Sequence, residues 1–165
     1  MKILTDRQIK QKITRLAYEI YEQNFDEKDL IIIGINNRGM ELATLLLAEL
    51  AVISDITATL IRLNVNPAAP LKNPIQLENF SVEKLEGKTV ILVDDVANTG
   101  RTLFYAMQPL MNILVKKLEI VVLVDRKHKA FPVQANYVGI SLATTFKQNI
   151  DVKILEAGEY GAFLN

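Results

Sequence analysis

Apolar residues Ile9, Ile13, Leu16, Ala17, Ile20 and Tyr21 recur at the three- and four-residue spacing of a single helix face that runs to about Asn24. Thr5 followed by Gln8 gives this helix a capping-box start. After the charged turn Asp26 to Asp29, Leu30-Ile31-Ile32-Ile33 is unbroken, as expected of a strand buried on both faces. Gly34 to Gly39 reads as a loop, and Met40 to Leu50 as a helix rich in Leu and Ala. Further strands are predicted at Ile56 to Leu63, Thr89 to Val93, Ile120 to Val124 and Tyr137 to Ile140. A helix should start near Gly100 and run toward Leu114, interrupted at Pro109, which has no N–H to donate and clashes with the preceding turn. Ile154-Leu155 and Tyr160 to Leu164 suggest a small terminal hairpin across Ala157-Gly158.

Alternating strands and helices predict an α/β fold, a mostly parallel five-stranded sheet flanked by helices on both faces. Ligands bind such sheets beyond the carboxyl ends of the strands. Polar residues cluster at three of those ends: Asn36 to Gly39, Asp94 to Thr102, and Asp125 to His128. The stretch Asn64 to Lys88, with Pro67, Pro70 and Pro74, has no sustained period. A loop of that length within a compact domain is expected to be functional, here a flap over the site. The expected organisation is one domain over residues 1–165, with the flap inserted at about 64–88.

Composition narrows the chemistry. The 165 residues contain no cysteine and one histidine, His128, which excludes thiolate nucleophiles, cysteine-ligated zinc and multi-histidine metal sites. Any metal must be a hard cation held by carboxylates, ligand phosphates and water, which points to magnesium. Nineteen basic residues balance nineteen acidic ones, so net charge does not advertise a nucleic-acid partner. The start Met1-Lys2-Ile3-Leu4-Thr5-Asp6 has no signal-peptide apolar core, and no apolar run approaches the roughly 20 residues of a membrane span. The expected setting is cytoplasmic, without DNA or membrane partners.

The strongest chemical signal is Asp94-Asp95-Val96-Ala97-Asn98-Thr99-Gly100-Arg101-Thr102. A small-residue loop at the start of a helix offers backbone N–H groups to an anion, and Thr99 and Thr102 add hydroxyl donors. Paired aspartates do not bind phosphate; they suit sugar hydroxyls or a magnesium ion. A ligand carrying both a phosphate and a cis-diol, a phosphorylated ribose, is indicated. The glycine spacing and following lysine of a Walker loop are missing, and a single glycine rules out the dinucleotide fingerprint. In the Gly34 to Gly39 loop, Arg38 is suited to gripping a pyrophosphate bidentately, or to serving as a solvated loop charge.

The string from Asp94 to Thr102 resembles the phosphoribosyl pyrophosphate signature of type I phosphoribosyltransferases. Leu123-Val124-Asp125-Arg126-Lys127-His128-Lys129, Phe131-Pro132 and Tyr137-Val138-Gly139 are similar to the pyrimidine operon regulators, which combine RNA-binding attenuation with uracil phosphoribosyltransferase activity. So is the first helix, from Ile13 to Ile20. The resemblance implies that Asp94, Asp95 and Ala97 to Thr102 hold the ribose and 5′-phosphate. Asn36, Asn37, Arg38, Gly39 and Lys72 would hold pyrophosphate, and Asp125, Arg126, Tyr137, Val138 and Gly139 the base. Arg38, Asp94 and Asp95 are the implied catalytic set, with magnesium reached from both aspartates through ribose hydroxyls or water, and a homodimer or larger assembly. Departures are Asn37 for Thr, Ala97-Asn98 for Leu-Tyr, Leu63-Asn64 for two aspartates after Arg62, and Ile140 for Lys. Tyr18 stands where the regulators have His and Gln134 where they have Arg, so RNA is not the favoured partner. The expected reaction transfers phosphoribose to a nucleobase, foremost uracil; the alternatives are a purine base, or a sensor that regulates RNA without turnover.

Overall fold

The structure is a computed structural model that describes residues 1–145, 148–154 and 160–165. Its central sheet has six strands: β2 (Asp29–Ile35), β3 (Thr57–Asn64), β4 (Gln76–Leu77), β5 (Thr89–Ala97), β6 (Lys117–Arg126) and β7 (Tyr137–Leu142), in the order β4-β3-β2-β5-β6-β7. From β3 to β7 every neighbour is parallel, as the alternating pattern predicts. The short β4 is the addition: it pairs antiparallel with β3 through Leu63↔Leu77 and Asn64↔Gln76. A second sheet of three strands, ordered β1-β9-β8, joins β1 (Lys2–Leu4) to β8 (Ile150–Lys153) and β9 (Gly161–Leu164). The predicted terminal hairpin is therefore real as a β8/β9 pair, but its first strand ends at Lys153, before Ile154. Leu155, Ala157 and Gly158 lie outside the described residues.

Helix α1 (Asp6–Asn24) begins at a complete capping box, with the Gln8 N–H donating to the Thr5 side chain and the Gln8 side chain accepting from the Thr5 N–H. Its apolar stripe and that of α2 (Asn36–Ile53) pack on one face of the sheet against Leu30, Ile32, Ile91, Val93, Val121 and Leu123. The alternate residues of the same strands, Ile31, Ile33, Val90, Leu92, Ile120 and Val122, pack on the other face against Leu103, Ala106 and Leu110. Strands β2, β5 and β6 are thus buried on both sides, which is why their sequences are continuous apolar runs rather than alternating ones.

Helix α3 (Arg101–Ala106) is much shorter than the run predicted toward Leu114. Pro109 disfavours helical backbone at the residue before it and cannot donate, so the chain tightens into a 3₁₀ turn over Gln108–Asn112 with the proline at its start. The aperiodic stretch after β3 is only partly a loop. It contains β4 and a 3₁₀ turn, Val82–Leu85, and it buries Val65, Ile75, Leu77 and Leu85. Short elements carry too few residues to show a period.

Candidate functional site

Strand order reverses between β2 and β5: the chain from β2 moves one way through α2 to β3, and from β5 the other way to β6. This switch point leaves a crevice at the carboxyl edge of the sheet. Strand β2 last pairs with β5 at Gly34↔Val93, whereas β5 continues through Ala97, so Asp94 and Asp95 stand at the rim of the crevice. Successive strand residues point to opposite faces. Asp94 accordingly turns toward α3 and Asp95 toward α2, where its carboxylate is 3.9 Å from the Arg38 guanidinium. Asp94 is 9% and Asp95 8% exposed. Burial, with the adjacent Asp95 charge second, pushes the Asp94 carboxyl well above the usual carboxylate range. Burial also raises Asp95, opposed by its hydrogen bond with Asp94 and by Arg38.

The 5′-phosphate candidate lies beside them. Residues Asp94 and Val96 to Leu103 line a small cavity of about 50 Å³. Gly100 has φ 86°, a left-handed conformation that lets the chain turn from β5 into α3. Thr99 O accepts from the N–H groups of Ala130 (2.9 Å) and Phe131 (3.1 Å), and Thr99 Oγ1 accepts from the Arg101 N–H (3.4 Å), which together fix the loop.

The pyrophosphate candidate is the first turn of α2, not a free loop: Gly34 and Ile35 belong to β2, and the helix starts at Asn36. No side chain caps this helix and no acid lies in its first turn, so its leading N–H groups are suited to an anion. Gly39 is needed for this placement, because a Cβ there would sit 2.5 Å from Val93 O. Asn37 accepts a hydrogen bond from Arg62. Arg38 donates to Asp151 Oδ1 at 2.6 Å and to the Val152 carbonyl of β8.

Together Ile35, Asn36, Asn37, Arg38, Asp94, Asp95, Val96, Asn98 and Thr102 line one cleft of about 460 Å³, closed by Pro67 from the flap side and by Ile150 and Asp151 of the smaller sheet. The pyrophosphate and ribose candidates are thus brought together. Lys72 is exposed, in a turn closed by its N–H to Ala69 O (3.0 Å), and is not among the lining residues. Asp125 pairs with Ala97 across the strands and holds Lys129 at 2.6 Å. Arg126 donates to Asn98 Oδ1 (3.2 Å), Thr144 Oγ1 (2.7 Å) and Thr145 O (3.0 Å), so it braces the loop after β5.

Three residues of the expected base set, Tyr137, Val138 and Gly139, do not line the cleft. Tyr137 opens β7 and is 3% exposed, its side chain packed in the core beneath α1. Its hydroxyl donates to Glu119 Oε2 at 2.7 Å and lies 3.4 Å from Asn24 Nδ2, at the opposite edge of the sheet from the cleft. Burial and Glu119 hold its phenol far above the ordinary tyrosine range. The carbonyls of Val138 and Gly139 face outward to Arg15 and Lys12 of α1. Ile150 and Asp151, which sequence reasoning missed, take their place at the cleft. Asp151 meets Arg38 across 113 positions, and nothing local in the sequence signals it.

Carboxylates are hard donors suited to magnesium, yet no cluster of three or more metal-ligating side chains occurs among the described residues. A cation here fits only with ligand oxygens completing its shell, and its charge would offset the repulsion between two buried aspartates.

A family model for the phosphoribosyl transferase domain matches residues 1–157. The chain is 36% identical over 159 residues to the bifunctional protein PyrR of Haemophilus ducreyi, covering 92% of this chain and 89% of the relative. It is 36% identical over 154 residues to its Enterococcus faecalis namesake, covering 90% and 86%. Among solved structures, the hypoxanthine phosphoribosyltransferase of Trypanosoma cruzi superposes with a TM-score of 0.79 at 18% identity, covering 98% of this chain and 95% of that one. A hypoxanthine-guanine phosphoribosyltransferase from Bacillus anthracis gives 0.70 at 21%, covering 88% and 84%. At those identities the likeness speaks for the fold alone, and the fold is that of the type I enzymes. With the domain model spanning nearly the whole chain and the PyrR proteins aligning along most of it, this chain belongs to the phosphoribosyltransferases of the PyrR branch.

Proposed function

We propose that the chain transfers the 5-phosphoribosyl group of phosphoribosyl pyrophosphate to uracil, giving UMP and pyrophosphate. The observation that carries this reading is the buried pair Asp94-Asp95 set between two anion sites, the Gly100 loop on one side and the uncapped start of α2 with Arg38 on the other. A ligand with a phosphate at one end, a diol in the middle and a pyrophosphate at the other matches that order. Uracil is favoured by the kinship with the PyrR proteins.

The base nitrogen attacks C1 of the ribose as the bond from C1 to pyrophosphate oxygen breaks, and the nitrogen's proton leaves to solvent. Positive charge develops on the sugar in an oxocarbenium-like transition state. Asp94 and Asp95 hold the ribose hydroxyls, next to the carbon on which positive charge develops. Arg38 and the leading N–H groups of α2 receive the departing pyrophosphate. Thr99, Thr102 and the backbone from Ala97 to Arg101 anchor the 5′-phosphate and fix C1 in place. Asp94 and Asp95 would hold magnesium through the ribose hydroxyls or water, and the ion would supply charge neutralisation for the pyrophosphate. Ile150 and Asp151 stand over the ribose site and form the base wall, in place of Tyr137 to Gly139.

Pyrophosphate release with uracil, lost in Asp94→Asn/Asp95→Asn, tests the reading; release with hypoxanthine or guanine and not uracil would replace the base. RNA regulation is not favoured. Arg15, His128 and Lys129 lie in the segments that resemble the regulators; of these, Arg15 is engaged by Gly139 O and Glu19, and Lys129 by Asp125.

A further inference from the structure

Asn36 has a conformation and contacts that anion binding alone does not require. Its φ is 54°, in the left-handed region that L-residues avoid and that asparagine tolerates better than most. Its side-chain amide is wholly committed to one neighbour: Nδ2 donates to Val65 O at 2.9 Å and Oδ1 accepts from Val65 N–H at 2.9 Å. The backbone pairing of β2 with β3 ends at Ile35↔Leu63, and the Asn36 amide extends it by imitating one more peptide. Val65 is 4% exposed, packs with Ile75 and Leu77, and is the last fixed point before the flap departs toward Pro67 on the cleft wall. Asn36 also borders both the cleft and a second cavity of about 270 Å³ within the flap root, between Asn64, Asn66, Pro70 and Asn73.

We propose that Asn36 is a positioning residue that couples the pyrophosphate turn to the root of the flap. Its side chain does not contact the ligand; it holds Val65 in register with the first turn of α2. A ligand anchored on that turn therefore also steadies the flap root that is tied to it. Without the clamp, ordering Val65 and Asn66 becomes part of the binding step, and the loss falls mainly on KM for phosphoribosyl pyrophosphate. This inference rests on the proposed reaction and deepens the role of one residue in it.

Asn36→Gly keeps the left-handed backbone without strain and removes only the amide. It should raise KM for phosphoribosyl pyrophosphate about ten-fold, the size that two ordinary hydrogen bonds support, with kcat changed far less. A variant that melts earlier yet keeps the wild-type KM would overturn the proposal, leaving Asn36 a merely structural clamp. Amide exchange in the wild-type protein gives a second test that needs no variant. Adding inorganic pyrophosphate with magnesium should slow exchange at Asn37 to Gly39 and, through Asn36, at Val65 and Asn66. Protection at 37–39 with no change at Val65 would refute the coupling while sparing the site. No change at 37–39 would refute the pyrophosphate site, and the coupling with it.

Discussion

At the residue scale, the buried aspartate pair opposes the stability of the ligand-free protein. A carboxyl raised in the folded state binds its proton more tightly there than in the unfolded chain. Its unfavourable contribution therefore grows as pH rises from the ordinary carboxylate value toward the folded one. Asp94→Asn should raise the melting temperature of the ligand-free protein at pH 8, with the gain shrinking toward pH 4, while turnover falls at least about a hundred-fold, as for loss of a main electrostatic group. Thermal melts across pH and steady-state rates check the two halves separately. Arg38 is held by Asp151, a partly exposed pair at 46% and 32% side-chain exposure. Such a pair is worth less than about 1 kcal/mol, so Asp151→Asn should lower KM for phosphoribosyl pyrophosphate by at most about five-fold. A raised KM would mean that Asp151 positions the arginine instead of competing for it. The place of the aspartate pair near the end of a buried strand was legible in the sequence, because an apolar run leads straight into the two acids and then into a small-residue loop. Asp151 was not, because its meaning comes from a contact 113 positions away.

At the element scale, the site depends on how closely α2 approaches β5. Gly39→Ala would set a methyl 2.5 Å from the Val93 carbonyl, a backbone atom that cannot swing aside. Pushing the helix off the sheet should cost about 1–3 kcal/mol in denaturant unfolding and displace the anion turn, raising KM as well. An unchanged denaturation midpoint would show that the helix has slack the packing does not suggest. The doubly buried strands could be read from sequence, since Leu30 to Ile33, Thr89 to Val93 and Ile120 to Val124 have no other plausible state in so short a chain. The start of α2 could not: Gly34, Asn36, Asn37 and Gly39 all signal a turn, and only the sheet packing draws that turn into the helix. Tyr137 is the opposite case. It lies in a correctly predicted strand, but its side chain faces α1 and its hydroxyl is spent on Glu119.

At the scale of the whole molecule, two sheets of different origin meet over one cleft. The central sheet supplies Asp94, Asp95 and the start of α2 from the carboxyl edge of its parallel strands, and the β1-β9-β8 sheet brings Ile150 and Asp151 to the same cleft. The first of these is a local consequence of strand-loop-helix units and was visible along the chain. The second joins Lys2–Leu4 to Gly161–Leu164, three- and four-residue strands that no periodicity reveals. The base wall proposed above lies in that less legible part. The decisive measurement is magnesium-dependent pyrophosphate release from phosphoribosyl pyrophosphate, with uracil, hypoxanthine, guanine, adenine and orotate supplied in parallel. Release with uracil alone, abolished by Asp94→Asn/Asp95→Asn, is the expected result. Binding of phosphoribosyl pyrophosphate without release for any base would contradict catalysis at this cleft and leave a sensor in its place.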